Sequence, residues 1–108
     1  MKITMLGCGG SFGSPLAWNR YGNIDIKNKK NFRTRSSLLL EINSNNILID
    51  TSPDLRQQLY NSKTTDIDAV FYTHIHSDHT SGINDLRAMS LINNNKNIPA
   101  YIPKEMQL

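Results

Sequence analysis

An α/β fold is predicted for this 108-residue chain, and three observations predict it. Short β-prone runs alternate with helix-spaced apolar residues through the second half, two adjacent runs in the first half are joined by turn residues, and no repeat or heptad pattern competes with that order. The length allows one ordinary domain, so residues 1–108 are read as a single unit.

The elements follow in chain order. Lys2 to Leu6 is a short apolar-rich strand, ended by Gly7, Gly9, Gly10, Gly13 and Pro15. Ser14 to Thr34 has little periodicity and is expected to be a long loop, a length usually tied to function or disorder. Ser36 to Ile42 and Asn46 to Asp50 read as a hairpin around Asn43, Ser44 and Asn45. A helix is then expected to about Asn61, with Thr51 or Ser52 as cap, Pro53 at the first helical position, Asp54 complementing the dipole, and Leu55, Leu59 and Tyr60 as the apolar face. Asp68 to Thr73 is a buried strand carrying Ala69, Val70, Phe71 and Tyr72. Gly82 to Leu91 has helical spacing and Asn93 to Asn97 ends it, before a last strand at Ile98 to Ile102. The predicted order is β, ββ, α, β, α, β.

Composition narrows the function. The longest apolar runs are far below the ~20 residues that span a bilayer, so no membrane partner is expected. The N-terminus carries glycines where a secretory signal has an apolar stretch, and the single Cys8 can form no internal disulfide. A cytoplasmic location is the expectation. The net charge of +3 is uneven: residues 1–40 hold seven of the twelve Lys and Arg and only Asp25 among the acids. Lys27, Lys29, Lys30, Arg33 and Arg35 therefore form a basic segment, suited either to phosphate oxygens or to plain solvation.

All three histidines of the chain fall within six residues, with Asp78 among them, in THIHSDHTSG directly after the buried strand. In extended backbone, residues two apart point the same way, so His74 and His76 can offer two imidazoles to one ion. Asp78 and His79 come where the chain turns into a helix and aim at a second point. Two ions ~3.5–4 Å apart can activate a water and clamp a phosphoryl or acyl oxygen together. A closed structural zinc site would call for cysteines, and only Cys8 is present. Ser11 and Ser77 lack a separate His and acid once the histidines are committed to metal, which argues against a serine nucleophile. Asp85 and Arg87, two apart on a helix, read as surface charges.

His-x-His-x-Asp-His after a buried strand resembles the signature of the metallo-β-lactamase superfamily, and here it stands as His74, His76, Asp78 and His79. LGCGGSFGSP, NFRTRSS, SPDLRQQL and HTSGINDLRAM are similar to the branch of phosphodiesterases acting on phosphoribosyl 1,2-cyclic phosphate, related to ribonuclease Z. The resemblance implies that His74 and His76 bind one metal and Asp78 and His79 a second, with Asp78 also catalytic. Asp50 would support the metal loop through hydrogen bonds without binding metal. Two divalent ions are implied, zinc first and manganese as the alternative.

The same resemblance implies a third His for the first metal, a bridging Asp and a last His, yet no histidine follows His79. The chain is accordingly expected to be the N-terminal half of an αββα sandwich: one mixed sheet with helices on one face. The implied activity is metal-dependent hydrolysis of a cyclic or nucleotide-like phosphodiester by metal-bound hydroxide, with Arg33 and Arg35 on the phosphate. Gly9, Gly10 and Gly13 either let the backbone approach that phosphate or only form a tight turn. The alternative is an inactive or split half-domain that needs a partner, either a complementary C-terminal chain or a second copy. RNA processing is a variant of the first reading, for which Trp18 and Tyr21 offer little stacking surface.

Overall fold

One five-stranded mixed sheet, ordered β1-β2-β3-β4-β5, organises the computed structural model, which describes residues 1–106. Its strands are β1 (Lys2–Gly7), β2 (Ser37–Ile42), β3 (Asn45–Ile49), β4 (Ala69–Phe71) and β5 (Ala100–Tyr101); its helices are α1 (Leu55–Ser62), the single turn α2 (Ser77–Thr80) and α3 (Asp85–Ile92). β1, β2 and β3 pair antiparallel, whereas β3, β4 and β5 pair parallel. Parallel neighbours need a crossover, and α1 supplies the one from β3 to β4 while α3 supplies the one from β4 to β5. The predicted class and element order are those observed.

The β2–β3 hairpin is tighter than the three-residue turn expected. Ile42 pairs with Asn45, which leaves only Asn43 (φ 48°) and Ser44 (φ 65°) in the turn. Two successive left-handed residues match the right-handed twist of the flanking strands. α1 also begins later than its cap signals suggested. Asp54, not Thr51 or Ser52, is the N-cap and makes no side-chain cap bond; Ser52 Oγ accepts from the Asp54 N–H at 3.1 Å and Ser52 O from the Leu55 N–H at 3.0 Å, so the turn before α1 is wound too tightly to be α.

The helix expected from Gly82 is interrupted for a related reason. Gly82 N–H donates to Thr51 O (3.0 Å) and His79 O accepts from Thr51 N–H (2.8 Å). Those groups are withdrawn from the helical ladder, and Ser81–Asn84 winds as a 3-10 turn between α2 and α3. Gly82 is buried there because its backbone lies against the Ser52 carbonyl, with no room for a Cβ. Residues 14–34 remain loop apart from a 3-10 turn at Lys29–Asn31. The loop is tied back to the glycine segment by bridges between Gly9 and Arg35 and between Ser14 and Arg33.

Register sorts the sheet into two unlike faces. Leu39 pairs with Leu48, and Leu48 with Val70; all three are buried under Leu55 and Leu59 of α1, Leu86 of α3, and Ile67. Each such side chain contributes roughly 1.5–3 kcal/mol by leaving water. The polar segment after α3 is pinned to the start of β4 by Lys96, whose ammonium meets Asp66 at 2.7 Å and Asp68 at 2.6 Å.

On the opposite face Ile3, Leu40, Ile47 and Ala69 line up across the strands, and beside them Met5, Leu38, Ile49, Phe71 and Tyr101. No helix covers this face among the described residues. Met5 is 64% exposed, and the Phe71 and Tyr101 rings stack at 4.6 Å while half in solvent. One mixed sheet with helices on a single face is the architecture the sequence predicted.

Candidate metal centre

The site forms where two neighbouring parallel strands end. After β3 the chain continues the ladder for one residue, with Asp50 N–H donating to Phe71 O at 2.9 Å, and then turns sharply, Asp50 taking φ 62°. Asp is among the few non-glycine residues that adopt this region readily. The turn leaves the Asp50 side chain buried beneath the residues that follow β4. After β4, Tyr72 points into the core, its hydroxyl 2.9 Å from Thr51 Oγ1 and its pKa raised by burial. Thr73 to His76 then run along the sheet's end, and α2 brings Asp78 and His79 round on one turn.

Asp50 is the hub. Its Oδ1 accepts from the Thr73 backbone N–H at 2.8 Å, and its Oδ2 accepts from Thr73 Oγ1 at 2.7 Å. His79 Nδ1 lies 2.8 Å from the same Oδ2. Three of the roughly four lone-pair positions of a carboxylate are thereby engaged, and the two groups it grips stand on either side of the histidine cluster.

The sequence-predicted ligands come together. The His74 ring lies 4.1 Å from that of His79 and 4.6 Å from that of His76. His79 Nε2 is 3.2 Å from Asp78 Oδ2. Asp50, His74 and His79 each offer a ligand atom within 4.8 Å of the others, whereas His76 and Asp78 stand outside that trio. His76 is the most open of the group, and Asp78 and His79 are largely shielded.

The donor set fits a divalent cation. A neutral His79 that donates from Nδ1 to Asp50 has a bare lone pair on Nε2, and that lone pair faces a carboxylate oxygen at 3.2 Å. Two acceptors so placed repel unless a proton or a cation lies between them. Imidazole nitrogens and carboxylate oxygens are the ligands that zinc, manganese and iron accept.

Arg35 and Arg33 differ in their surroundings. The Arg35 guanidinium forks onto Asp54, with Nε to Oδ2 at 2.7 Å and a terminal nitrogen to Oδ1 at 2.8 Å, and its backbone N–H adds a third bond to Oδ2. That grip holds the Asp54 carboxyl below the usual carboxylate range. Arg33 is exposed, its guanidinium 3.7 Å from Cys8 Sγ. Both arginines line an open cavity of about 290 Å³ with Phe12, Phe32 and Asp54.

Three supporting residues were given no role in the site by the sequence. Thr73 touches both Asp50 and His74, and its only signal was its place directly before the first His of the cluster. Thr51 bonds Thr80 O and Tyr72, joining α2 to the core. Gln58, buried on α1, bonds Ser52, Thr34 and Arg35 O and so fastens the basic segment to the helix. No helix among the described residues is long and apolar enough to cross a membrane.

A family model described as "Beta-lactamase superfamily domain" matches residues 45–107, more than half of the chain. An octanoyltransferase of Porphyromonas gingivalis is 39% identical over 90 residues, covering 82% of this chain and 18% of that protein. Among solved structures, a diphosphatase of the PhnP family superposes with a TM-score of 0.86 at 31% identity, over 96% of this chain and 42% of its own. The short form of human tRNase Z gives a TM-score of 0.63 at 28% identity, over 84% and 30%. Zinc-bound PqqB from Methylobacterium extorquens, at 19% identity and a TM-score of 0.68 over 95% and 46%, shares the fold. The chain thus spans less than half the length of each of these proteins. From the family match, and from a sheet that follows a PhnP-family diphosphatase over nearly its whole extent, we conclude that the chain belongs to the β-lactamase superfamily.

Proposed function

We propose that this chain carries one side of a dinuclear metal centre for hydrolysis of a phosphodiester-type bond. One observation carries the reading: three imidazoles and a carboxylate converge at the ends of β3 and β4, with His79 Nε2 facing Asp78 Oδ2 across 3.2 Å. His74 and His76 would hold one ion, and Asp78 and His79 the other. A pair of divalent ions, zinc or manganese, supplies when bound an acidified water and neutralisation of phosphoryl charge. Asp78, beside His79 at 3.2 Å, would hold the second ion and is the carboxylate that would serve as proton acceptor. Asp50 orients His79 directly, and Arg33, exposed beside the cavity of the glycine loop, would meet a phosphate oxygen. Arg35, forked onto Asp54, shapes that cavity. The likeness to a diphosphatase supports a small phosphorylated substrate.

A second reading is favoured by the bare sheet face. Two protein ligands per ion are fewer than the three that catalytic zinc sites ordinarily have, and the apolar face around Met5 and Phe71 ends beside the site. Further ligands would come from polypeptide packed on that face. The exposed, unpaired Cys8 thiol suits the reducing cytoplasm.

Metal content and solution mass, measured together on the 108-residue chain after dialysis against metal-free buffer, test both. About two equivalents of retained zinc or manganese in a defined oligomer or complex support the centre and its completion from outside. A cyclic phosphodiester assay then follows, with turnover abolished by Asp78→Asn. Loss of all metal from a monomeric chain, with none regained on addition of zinc, refutes hydrolysis by this chain alone and supports the half-site reading.

A further inference from the structure

We infer that Thr73 is a positioning residue that sets the tautomer of His74, so that one buried carboxylate, Asp50, aims two imidazoles at once. The inference rests on the metal-centre reading for its purpose, though not for its geometry. Thr73 Oγ1 lies 2.7 Å from Asp50 Oδ2 and 2.9 Å from His74 Nδ1. An ionised carboxylate only accepts and a hydroxyl has a single proton. That proton is therefore spent on Asp50, since the opposite choice would set two oxygen lone pairs face to face at 2.7 Å. Toward His74 the hydroxyl has only a lone pair left, and Nδ1 must be the donor. His74 Nε2 is then the bare nitrogen.

The outcome runs against intrinsic preference, because a free histidine side chain in water favours the proton on Nε2. On the other side of the hub, Asp50 Oδ2 takes the Nδ1 proton of His79 directly, at 2.8 Å. The two rings, 4.1 Å apart, are thus set to the same tautomer, one by contact and one through Thr73. The Thr73 backbone N–H on Asp50 Oδ1 fixes the spacing of the relay. Orientation of ligating histidines by an outer hydrogen bond is a general device, and its loss typically costs 10–100-fold in metal affinity.

Thr73 is exposed, so the near-isosteric Thr73→Val leaves the core untouched, and Thr73→Ser restores the hydroxyl. In the metal-free chain at about pH 8, two-bond proton–nitrogen spectra report which ring nitrogen of His74 carries hydrogen. We expect Nδ1–H in the wild type and in Thr73→Ser, and a shift toward Nε2–H in Thr73→Val. Zinc affinity, measured by competition with a chelator, should fall by about 10–100-fold in Thr73→Val and stay close to wild type in Thr73→Ser. His74 remaining Nδ1–H in Thr73→Val overturns the inference. A wild type that binds no zinc refutes a metal centre held by this chain alone, and leaves the nitrogen spectra to decide the role of Thr73.

Discussion

Replacing Gly82 by alanine should unfasten the histidine loop from the rest of the chain. A Cβ at this position would stand 1.8 Å from Ser52 O, 2.8 Å from Ser52 C and 3.0 Å from Leu55 Cβ. The first of these is roughly 1.5 Å or more inside ordinary van der Waals separation, and the obstacle is backbone that cannot rotate aside. Relief requires the turn after α2 to move away from the start of α1. That movement stretches Gly82 N–H to Thr51 O and Thr51 N–H to His79 O. Overpacking costs about 1–3 kcal/mol and each lost hydrogen bond about 1 kcal/mol, so the expected loss is about 3–5 kcal/mol. Against a typical total stability of about 5–15 kcal/mol, this brings a small domain to the edge of unfolding. Urea titration followed by far-ultraviolet circular dichroism should show the midpoint falling by roughly 1–5 M, given slopes of about 1–3 kcal/mol/M. Trp18 is 60% exposed and makes a poor reporter. Gly10→Ala is the matched control, because nothing lies within 4 Å of its added Cβ, and it should stay within about 1 kcal/mol of wild type. A Gly82→Ala midpoint equal to that of Gly10→Ala would refute the claim that this contact joins the loop to α1.

The remaining predictions address the core, the ion pair and the open face. Leu48→Ala, at a fully buried central position of the sheet, should cost about 2–5 kcal/mol in the same titration. Asp54 is held below its usual pKa first by the Arg35 side-chain hydrogen bond, so its contribution is present above the unfolded value of about 3.9 and lost as pH falls through the lower folded value. Asp54→Asn should therefore be less stable than wild type at pH ~7, with the gap narrowing toward pH ~3; a constant gap across that range would refute this. Met5→Lys, on the bare face, should change stability by no more than about 0.5 kcal/mol, while lowering dye binding and self-association measured by light scattering.

Much of this was legible in the sequence, for identifiable reasons. The hairpin could be read because Asn43 and Ser44 are turn residues, and β4 because its apolar run is short and ends at a polar cluster. The convergence of His74, His76, Asp78 and His79 followed from local chain geometry alone, since all four lie within one strand end and one helical turn. What stayed hidden depends on contacts between distant segments. Thr73 matters only because Asp50, 23 residues earlier, lies beneath it. Arg35 looked as available as Arg33 until Asp54, 19 residues on, was found in its fork. The delayed start of α1 follows from the tight Ser52 to Leu55 turn and that of α3 from the exchange of backbone bonds between Thr51 and the His79 to Gly82 turn, an exchange that no local propensity encodes.

The bare face of the sheet also has a calorimetric consequence. Unfolding raises heat capacity chiefly by wetting apolar surface, which for ordinary domains comes to about 12–15 cal/mol/K per residue. Here Ile3, Met5, Phe71 and Tyr101 are already 42–64% exposed in the folded chain, so less apolar area remains to be hydrated. The heat-capacity increment should fall below that range, and the curve of stability against temperature should be correspondingly shallow. A polypeptide that seats itself on the face would restore the missing increment, and its association would carry the large negative heat-capacity change that marks burial of apolar surface.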